Sequence, residues 1–205
     1  MVRFYLLILL GLPALLFAAQ DSEESGRYST RIGFGYSDAN DLGEILSGHW
    51  NKFDGHTSAR TLDGGYRLVK DTFGAPIDIY LKGGIAYFDE NDFQESFYEL
   101  VFYVKAYLKL DFLGNRVRLG AGEGLSLAQE IPIVESIDAD GAPTAKFLNY
   151  LDISLDFDTG RLLHVDSMKD LYFGYTLKHR SGVFGLFNGV HGGSNYNMLT
   201  LEKNF

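Results

Sequence analysis

The sequence predicts an all-β fold: an eight-stranded antiparallel transmembrane β-barrel that follows an N-terminal signal peptide. Three observations predict it. Apolar and polar residues alternate in several long stretches, the connections between these stretches alternate in length, and no apolar run beyond the N-terminus reaches the roughly 18 residues of a membrane helix. Composition agrees, because 16 Phe, 13 Tyr and 24 Gly with only 4 Pro in 205 residues favour strands joined by turns.

The N-terminal segment, residues 1–19, has the pattern of a secretory signal peptide. It contains one basic residue, Arg3, then an apolar stretch, and it ends in the small pair Ala18–Ala19. This length and these flanking residues are typical of a cleaved leader rather than a permanent membrane helix. We therefore expect a signal peptide over 1–19 and a barrel domain over 20–205.

Alternation is clearest in three stretches, Pro76–Phe88, Phe97–Phe112 and Phe147–Asp158. In Phe97–Phe112 every even position is apolar, while the odd positions include Glu99 and Lys105. Since successive side chains of a strand point to opposite faces, each stretch predicts a strand with one apolar face. Weaker alternation predicts five more strands, at Arg27–Tyr36, Thr61–Lys70, Val117–Leu127, Asp170–Ser181 and Ser194–Phe205.

The connections divide into two sets. Three links, at residues 71–75, 113–116 and 159–169, are the shorter ones, and the other four are mostly longer and polar. An even number of strands with short turns at one end and long loops at the other is typical of bacterial outer-membrane barrels. We therefore expect both termini in the periplasm of a Gram-negative bacterium. Eight strands enclose a lumen that side chains fill, which argues against an open transport pore.

Periodicity alone does not say which face points inward. A soluble β-sandwich or a lipocalin-like barrel would turn the apolar face toward its core. The charged face favours the membrane barrel, because it carries both signs and its charges could neutralise one another in a narrow lumen. Its members are Asp63, Arg67, Asp78, Lys82, Glu99, Lys105, Lys109, Arg118, Asp152, Asp156, Lys178, Arg180 and Glu202.

Composition also limits the partners. A net charge of −9 makes nucleic acid an unsuitable ligand, and the absence of cysteine excludes disulfides and thiolate chemistry. We expect no metal and no cofactor, since His49, His56 and His191 fall in loops without carboxylates at ligand spacing. The expected partners are outer-membrane lipids and the barrel-assembly machinery, because the final strand ends in Phe205.

Polar residues interrupt the apolar rows of two strands. In Asp170–Ser181 the apolar row ends in His179 and Ser181, which should project together toward lipid. A His beside a Ser can act as general base and create a nucleophile for acyl transfer. In Val117–Leu127 the apolar row contains Glu123, and a bulge that turns it inward is favoured over a functional role as a partner of His179.

The segment from His179 to Leu186, followed by Gly192-Gly193-Ser194-Asn195, resembles the C-terminal region of the lipid A deacylases of Gram-negative outer membranes. These are eight-stranded barrels that remove an ester-linked acyl chain from lipopolysaccharide with a His-x-Ser pair and a Glu. The resemblance implies that His179 is the base and Ser181 the nucleophile, with lipid A as substrate. Asn195 occupies the position of the Glu, and Gly182 that of an Asn.

The residues that differ from the family pattern still have possible roles. Asn195 could accept a hydrogen bond from His179, although an amide does not stabilise the imidazolium by charge. The backbone N–H of Gly182 could donate to an oxyanion. The resulting hypothesis is a lipid A deacylase-like serine esterase. The alternative is a non-catalytic barrel for envelope integrity or adhesion, in which His179 and Ser181 are simply polar residues at the membrane boundary.

Overall fold

The computed structural model describes residues 26–183, 185–187, 189–190 and 192–205, so the expected signal peptide at 1–19 lies outside the described residues. The sheet is a closed antiparallel barrel in which each strand pairs with its neighbours in sequence and the first pairs with the last. The predicted fold class is confirmed. The strands are β1 (Tyr28–Asp38), β2 (Ser58–Val69), β3 (Ile77–Asp89), β4 (Phe97–Phe112), β5 (Asn115–Ala128), β6 (Phe147–Asp158), β7 (Leu171–Ser181) and β8 (Gly193–Asn204).

The predicted strand bounds agree best where alternation is strongest. The bounds of β4 and β6 coincide with the prediction, whereas β2 starts at Ser58, three residues before the predicted Thr61. The segment that was missed, Ser58–Arg60, pairs with both β1 and β3. Neighbouring strands supply its hydrogen bonds, so the local pattern alone did not reveal it.

The described parts of the connections contain three short helices, α1 (Leu42–Leu46), α2 (Ile133–Asp138) and α3 (Thr159–Leu163), with 3₁₀ turns at Thr72–Gly74 and Asp166–Met168. Helices α1 and α2 lie in the long loops at the end of the barrel opposite the termini, which we call the loop end. Over the described part of the chain, none of the helices has the length and apolar character needed to cross a membrane.

The apolar face of the barrel points outward. On β4 the even residues Leu100 and Phe102 are more than half exposed, whereas Glu99 and Lys105 of the odd row are fully buried. The alternative barrel, with its apolar face inward, is therefore excluded. An apolar outer surface suits a lipid environment. Because the closed barrel has no open edge, every strand can form its backbone hydrogen bonds with its two neighbours without water.

Paired charges fill the middle of the lumen. Asp152 accepts hydrogen bonds from Arg31 and Lys105, both at 2.5 Å, and Glu202 pairs with Lys82 at 2.6 Å and Arg118 at 3.0 Å. Buried charges are tolerated where each one has partners. Toward the loop end an apolar layer follows, made of Ala59, Ala86, Phe88, Phe97, Ala128, Val134, Tyr196 and Met198. The expectation of a lumen filled by side chains is thus met.

Candidate functional site

A cleft of about 580 Å³ lies on the outside of the wall at the loop end, between the loop of residues 39–57 and α2. Outward side chains from four adjacent strands form its floor. They are Glu123 on β5, Asn149 and Leu151 on β6, His179 and Ser181 on β7, and Asn195 on β8. All four side chains that we predicted as site residues therefore line one cleft.

Strand register explains why these residues meet. Leu151 of β6 pairs with both Glu123 and His179, and His179 pairs in turn with Asn195. One row thus runs across four strands. Asn149 belongs to the adjacent row, opposite Ser181. Directly opposed residues of antiparallel strands have Cβ atoms only about 5 Å apart, so the polar groups of β6, β7 and β8 are immediate neighbours.

The half-buried ring of His179 is held by one side chain. Its Nδ1 lies 2.7 Å from Oδ1 of Asn195, and Nδ2 of Asn195 donates to the carbonyl of Asn40 at 2.9 Å. Because Nδ2 must donate to that carbonyl, the amide oxygen is the atom that faces the ring. An acceptor at this position requires the proton on Nδ1 of the imidazole. The Nε2 atom is then free to accept a proton, as a general base must.

Ser181 lies two residues along the same face of β7 and is half-buried in the cleft. No hydrogen bond joins Ser181 to His179 in this structure. Catalytic hydrogen bonds are often long or poorly aligned before substrate binds, so the shared face is the relevant observation. The arrangement brings a hydroxyl and a base of the right tautomer into one cleft on the outer wall.

The residue after the serine, Gly182, is required by close packing. A Cβ at this position would overlap the carbonyl oxygen of Val190. Its N–H donates to the carbonyl of Gly192 over a long distance of 3.3 Å, so it must leave this weak bond to serve an oxyanion. The next residue, Val183, has φ of 48°, which is a strained conformation for a β-branched side chain. The described residues of the turn after β7 are therefore tightly constrained.

Glu123 differs from our expectation. The register of β5 with β4 and β6 is regular through Glu123, so the bulge that we favoured is absent and the side chain is exposed on the outer face. The alternation of the strand correctly predicts that Glu123 points outward. The energetic cost of a carboxylate in an apolar row predicted the opposite orientation. Leu151 lies between Glu123 and His179, and the carboxylate instead accepts a hydrogen bond from Nδ2 of Asn149 at 3.0 Å.

Two outward asparagines escaped the sequence analysis. Asn149 interrupts an apolar row of β6, and Asn197 follows Asn195 in the outward row of β8. Asn197 accepts a hydrogen bond from Tyr175 and donates one to Asp38, both at 2.5 Å. An amide in an otherwise apolar row was the signal that could have revealed both.

The two asparagines serve different parts of the cleft. Asn197 holds Asp38, whose carboxylate also accepts from the backbone N–H of Asn40 at 2.9 Å and of Asn51 at 3.2 Å. This contact fixes the loop of residues 39–57 against the outer wall. Asn149 belongs to the floor, where it separates the Glu123 carboxylate from Ser181.

Helix α2 forms the opposite wall of the cleft and is anchored on both sides of the barrel rim. Inside, the buried carboxylate of Glu135 lies 3.0 Å from Nε of Arg180, and burial raises the pKa of Glu135 to about 7 even though Arg180 opposes the shift. Outside, Asp138 accepts a hydrogen bond from the N–H of Gly193 at 3.2 Å. Across the described ranges, no group of three or more His, Asp or Glu side chains is placed to hold a metal ion.

Comparisons with known proteins identify the architecture. No family model matches the sequence, and no curated protein matches it either. Among solved structures, the fold is similar to that of the outer membrane enzyme PagL, with a TM-score of 0.56 and 12% sequence identity, over 86% of this chain and 99% of that one. This chain thus has the barrel fold of an outer-membrane enzyme.

Proposed function

We propose that this protein is an outer-membrane serine esterase of the lipid A deacylase type, which removes an acyl chain from lipopolysaccharide in the outer leaflet. The observation that carries the proposal is the outward row in which Asn195 holds His179 beside Ser181. A membrane-facing wall has no structural need for these polar groups. A nucleophile that opens toward lipid acts on a lipid, which enters the cleft laterally.

In the proposed reaction, Nε2 of His179 removes the proton of the Ser181 hydroxyl as Oγ attacks the carbonyl carbon of an acyl ester. The tetrahedral intermediate carries its negative charge on the former carbonyl oxygen, toward which the N–H of Gly182 would turn. His179 then returns the proton to the departing alcohol. A water activated by the same ring releases the fatty acid from Ser181.

Asn195 has a limited role in this scheme. Its amide fixes the tautomer and orientation of His179, but it provides no charge for the imidazolium that forms during the reaction. We therefore expect a slower esterase than one with a carboxylate at this position. Glu123 has no step in the scheme, because Leu151 separates it from the ring.

The fold supports this assignment, because the chain shares its architecture with an outer membrane enzyme. The acidic lining of the cleft indicates which part of the substrate enters. Among the described residues of the lining, the charged groups are Asp38, Asp41, Glu123 and Asp138, with no Lys or Arg. Phosphate groups should therefore stay outside the cleft, while an acyl ester enters it.

The test is mass spectrometry of lipid A from cells that express the wild type, Ser181→Ala or Ser136→Ala at equal amounts of folded barrel. We expect the wild type to remove one ester-linked acyl chain and Ser181→Ala to remove none. Ser136 lies on the exposed side of α2, outside the cleft lining, and its variant should behave like the wild type. Lipid A that stays fully acylated in the wild type would refute the proposal and leave the non-catalytic alternative.

A further inference from the structure

Residues of β7 that flank the serine connect the cleft to the lumen. Arg180 stands between His179 and Ser181 in sequence, and its side chain points inward and is fully buried. Its guanidinium donates to the carbonyl of Ala145 at 2.7 Å, in the loop that contains α2. The same side chain contacts Glu135 of α2. The strand that carries the proposed base and nucleophile is thus tied to α2 through the lumen.

The outer side of α2 touches the same pair of strands. Asp138 accepts from the N–H of Gly193, and Gly193 is the register partner of Ser181. Val134, Ile137 and Asp138 line the cleft, so the position of α2 sets its width. Glu135 and Asp138, only three residues apart, therefore hold one helix on both faces of the barrel wall.

The burial of the Glu135 carboxylate is energetically unfavourable. It is fully buried, and its Oε1 has no hydrogen-bond partner among the described residues. Its Oε2 forms the ion pair with Nε of Arg180 and accepts a long hydrogen bond from Ser194 at 3.4 Å. Burying a carboxylate with incomplete hydrogen bonding is unfavourable. An apolar residue at this position would pack beside Val134 without the cost of burying a charge. We therefore look for a role of the carboxylate other than packing.

We propose that Glu135 is a positioning residue of the esterase: its ion pair with Arg180 fixes α2 over the cleft and sets the binding geometry for a long acyl chain. This inference rests on the proposed function. Glu135 contacts neither His179 nor Ser181, and it acts only through the helix. The expected consequence is that Glu135 matters for a substrate that fills the cleft and not for one too small to touch α2.

The first experiment compares Glu135→Gln with Glu99→Gln in purified, folded barrels. Glu99 is the matched control, because it is a fully buried carboxylate that pairs with Lys178 and lies 3.9 Å from Arg180, but it belongs to β4. For an ester of a long-chain lipid in mixed micelles, Glu135→Gln should lower kcat/KM by about tenfold or more, mainly through KM, since misplaced binding elements have effects of this size. Hydrolysis of p-nitrophenyl butyrate should stay within about twofold of the wild type.

Three outcomes of this comparison would overturn the proposal. Equal losses on both esters would show that Glu135 merely maintains the fold, and unchanged kinetics on both would show that α2 does not set the cleft. Equal effects of Glu99→Gln and Glu135→Gln on the long-chain ester would assign the effect to lumen charge in general.

A second measurement does not depend on turnover. The chain has no cysteine, so spin labels at Ser136→Cys and Leu186→Cys report the distance between α2 and the turn after β7. Both residues are exposed. The distance distribution should broaden or shift in Glu135→Gln and keep the wild-type form in Glu99→Gln. An unchanged distribution in Glu135→Gln would overturn the proposal, whereas a wild type that hydrolyses neither ester would instead refute the proposed function.

Discussion

Four consecutive residues of β7 face two different environments. Lys178 and Arg180 point into the lumen, where they are almost completely buried and face the carboxylates of Glu99 and Glu135. His179 and Ser181 point outward and are half-buried, and the histidine has a neutral amide as its partner. Inside the barrel, polar groups are neutralised by ion pairs. Outside, no ion pair among the described residues neutralises these side chains, as is expected of groups in a binding or catalytic site.

This contrast distinguishes polar side chains that stabilise the barrel from polar side chains that are available to a ligand. A buried charge with several partners stabilises the barrel only as part of its network, because its own burial is unfavourable. A polar group on the outer wall that holds no other element, unlike Asn197 with Asp38, contributes little to the barrel and is available to act on a ligand. Variants on the two faces should therefore fail in different ways, and each of the following tests could break that distinction.

The largest effect is expected in the lumen. Asp152→Ala removes the carboxylate that Arg31 and Lys105 share, and it leaves two buried cations with fewer partners. Breaking a buried ion pair in this way costs roughly 3–5 kcal/mol. Urea unfolding of the barrel in lipid vesicles should show this loss. Asp166→Ala, which removes an exposed ion pair with Lys169, should leave the free energy of unfolding nearly unchanged. Equal losses would mean that the lumen network is not structural.

A smaller effect on stability, together with a loss of activity, is expected outside. Asn195→Leu removes the acceptor of the Nδ1 proton of His179, so the ring loses both its tautomer and its orientation. Activity should fall by up to about 10⁴-fold, the loss known for a triad in which the histidine takes the wrong tautomer. Asn195→Asp should instead raise activity, because a carboxylate stabilises the imidazolium. Both variants also lose the donor to the carbonyl of Asn40, so each should lose about 1 kcal/mol of stability. A loss as large as that of Asp152→Ala in either variant would contradict the contrast.

The barrel fold could be predicted from the sequence because the alternation of apolar and polar residues is visible within each strand. A strand shows one face at every second residue, and β4 shows it over 16 residues without a break. The site depends instead on register between strands. His179, Ser181 and Asn195 could be found because they lie on two consecutive strands. Asn149 gains its meaning from its hydrogen bond to Glu123 on β5 and from its pairing with Ser181 on β7. Alternation within one strand does not contain that information.

The position of helix α2 could not be predicted from the sequence, for a different reason. Its six residues lie in one of the longer connections, in which the sequence pattern predicts no helix, and its position depends on Arg180, 45 residues farther along the chain than Glu135. Glu135 is an internal anchor, since its carboxylate is fully buried and paired with Arg180. Long-range ion pairs of this kind leave no periodic signal, so the structure was needed to separate Glu135 from its acidic neighbours.

The smallest effect is expected at Glu123, an outward carboxylate that has no step in the proposed reaction. This carboxylate lies in the outward row of β5 beside Ala121 and Leu125, and one neutral hydrogen bond from Asn149 is a small compensation in an apolar surface. A charge at such a position destabilises a membrane barrel, and acidic residues do so less than basic ones. Glu123→Leu should therefore increase the free energy of unfolding by about 1 kcal/mol, opposite in sign to Asp152→Ala.

Two variants determine whether charge is the cause. Ala121→Leu adds the same apolar side chain to the same row without removing a charge, so its change in the free energy of unfolding gives the apolar contribution alone. Glu123→Gln removes the charge and keeps the shape. If Glu123→Leu weakens the barrel in vesicles while Ala121→Leu does not, the carboxylate is a structural member of the wall. The contrast between the two faces would then hold only for His179 and Ser181 of β7, because Glu123 would join Asn197 as an outward polar residue with a structural role.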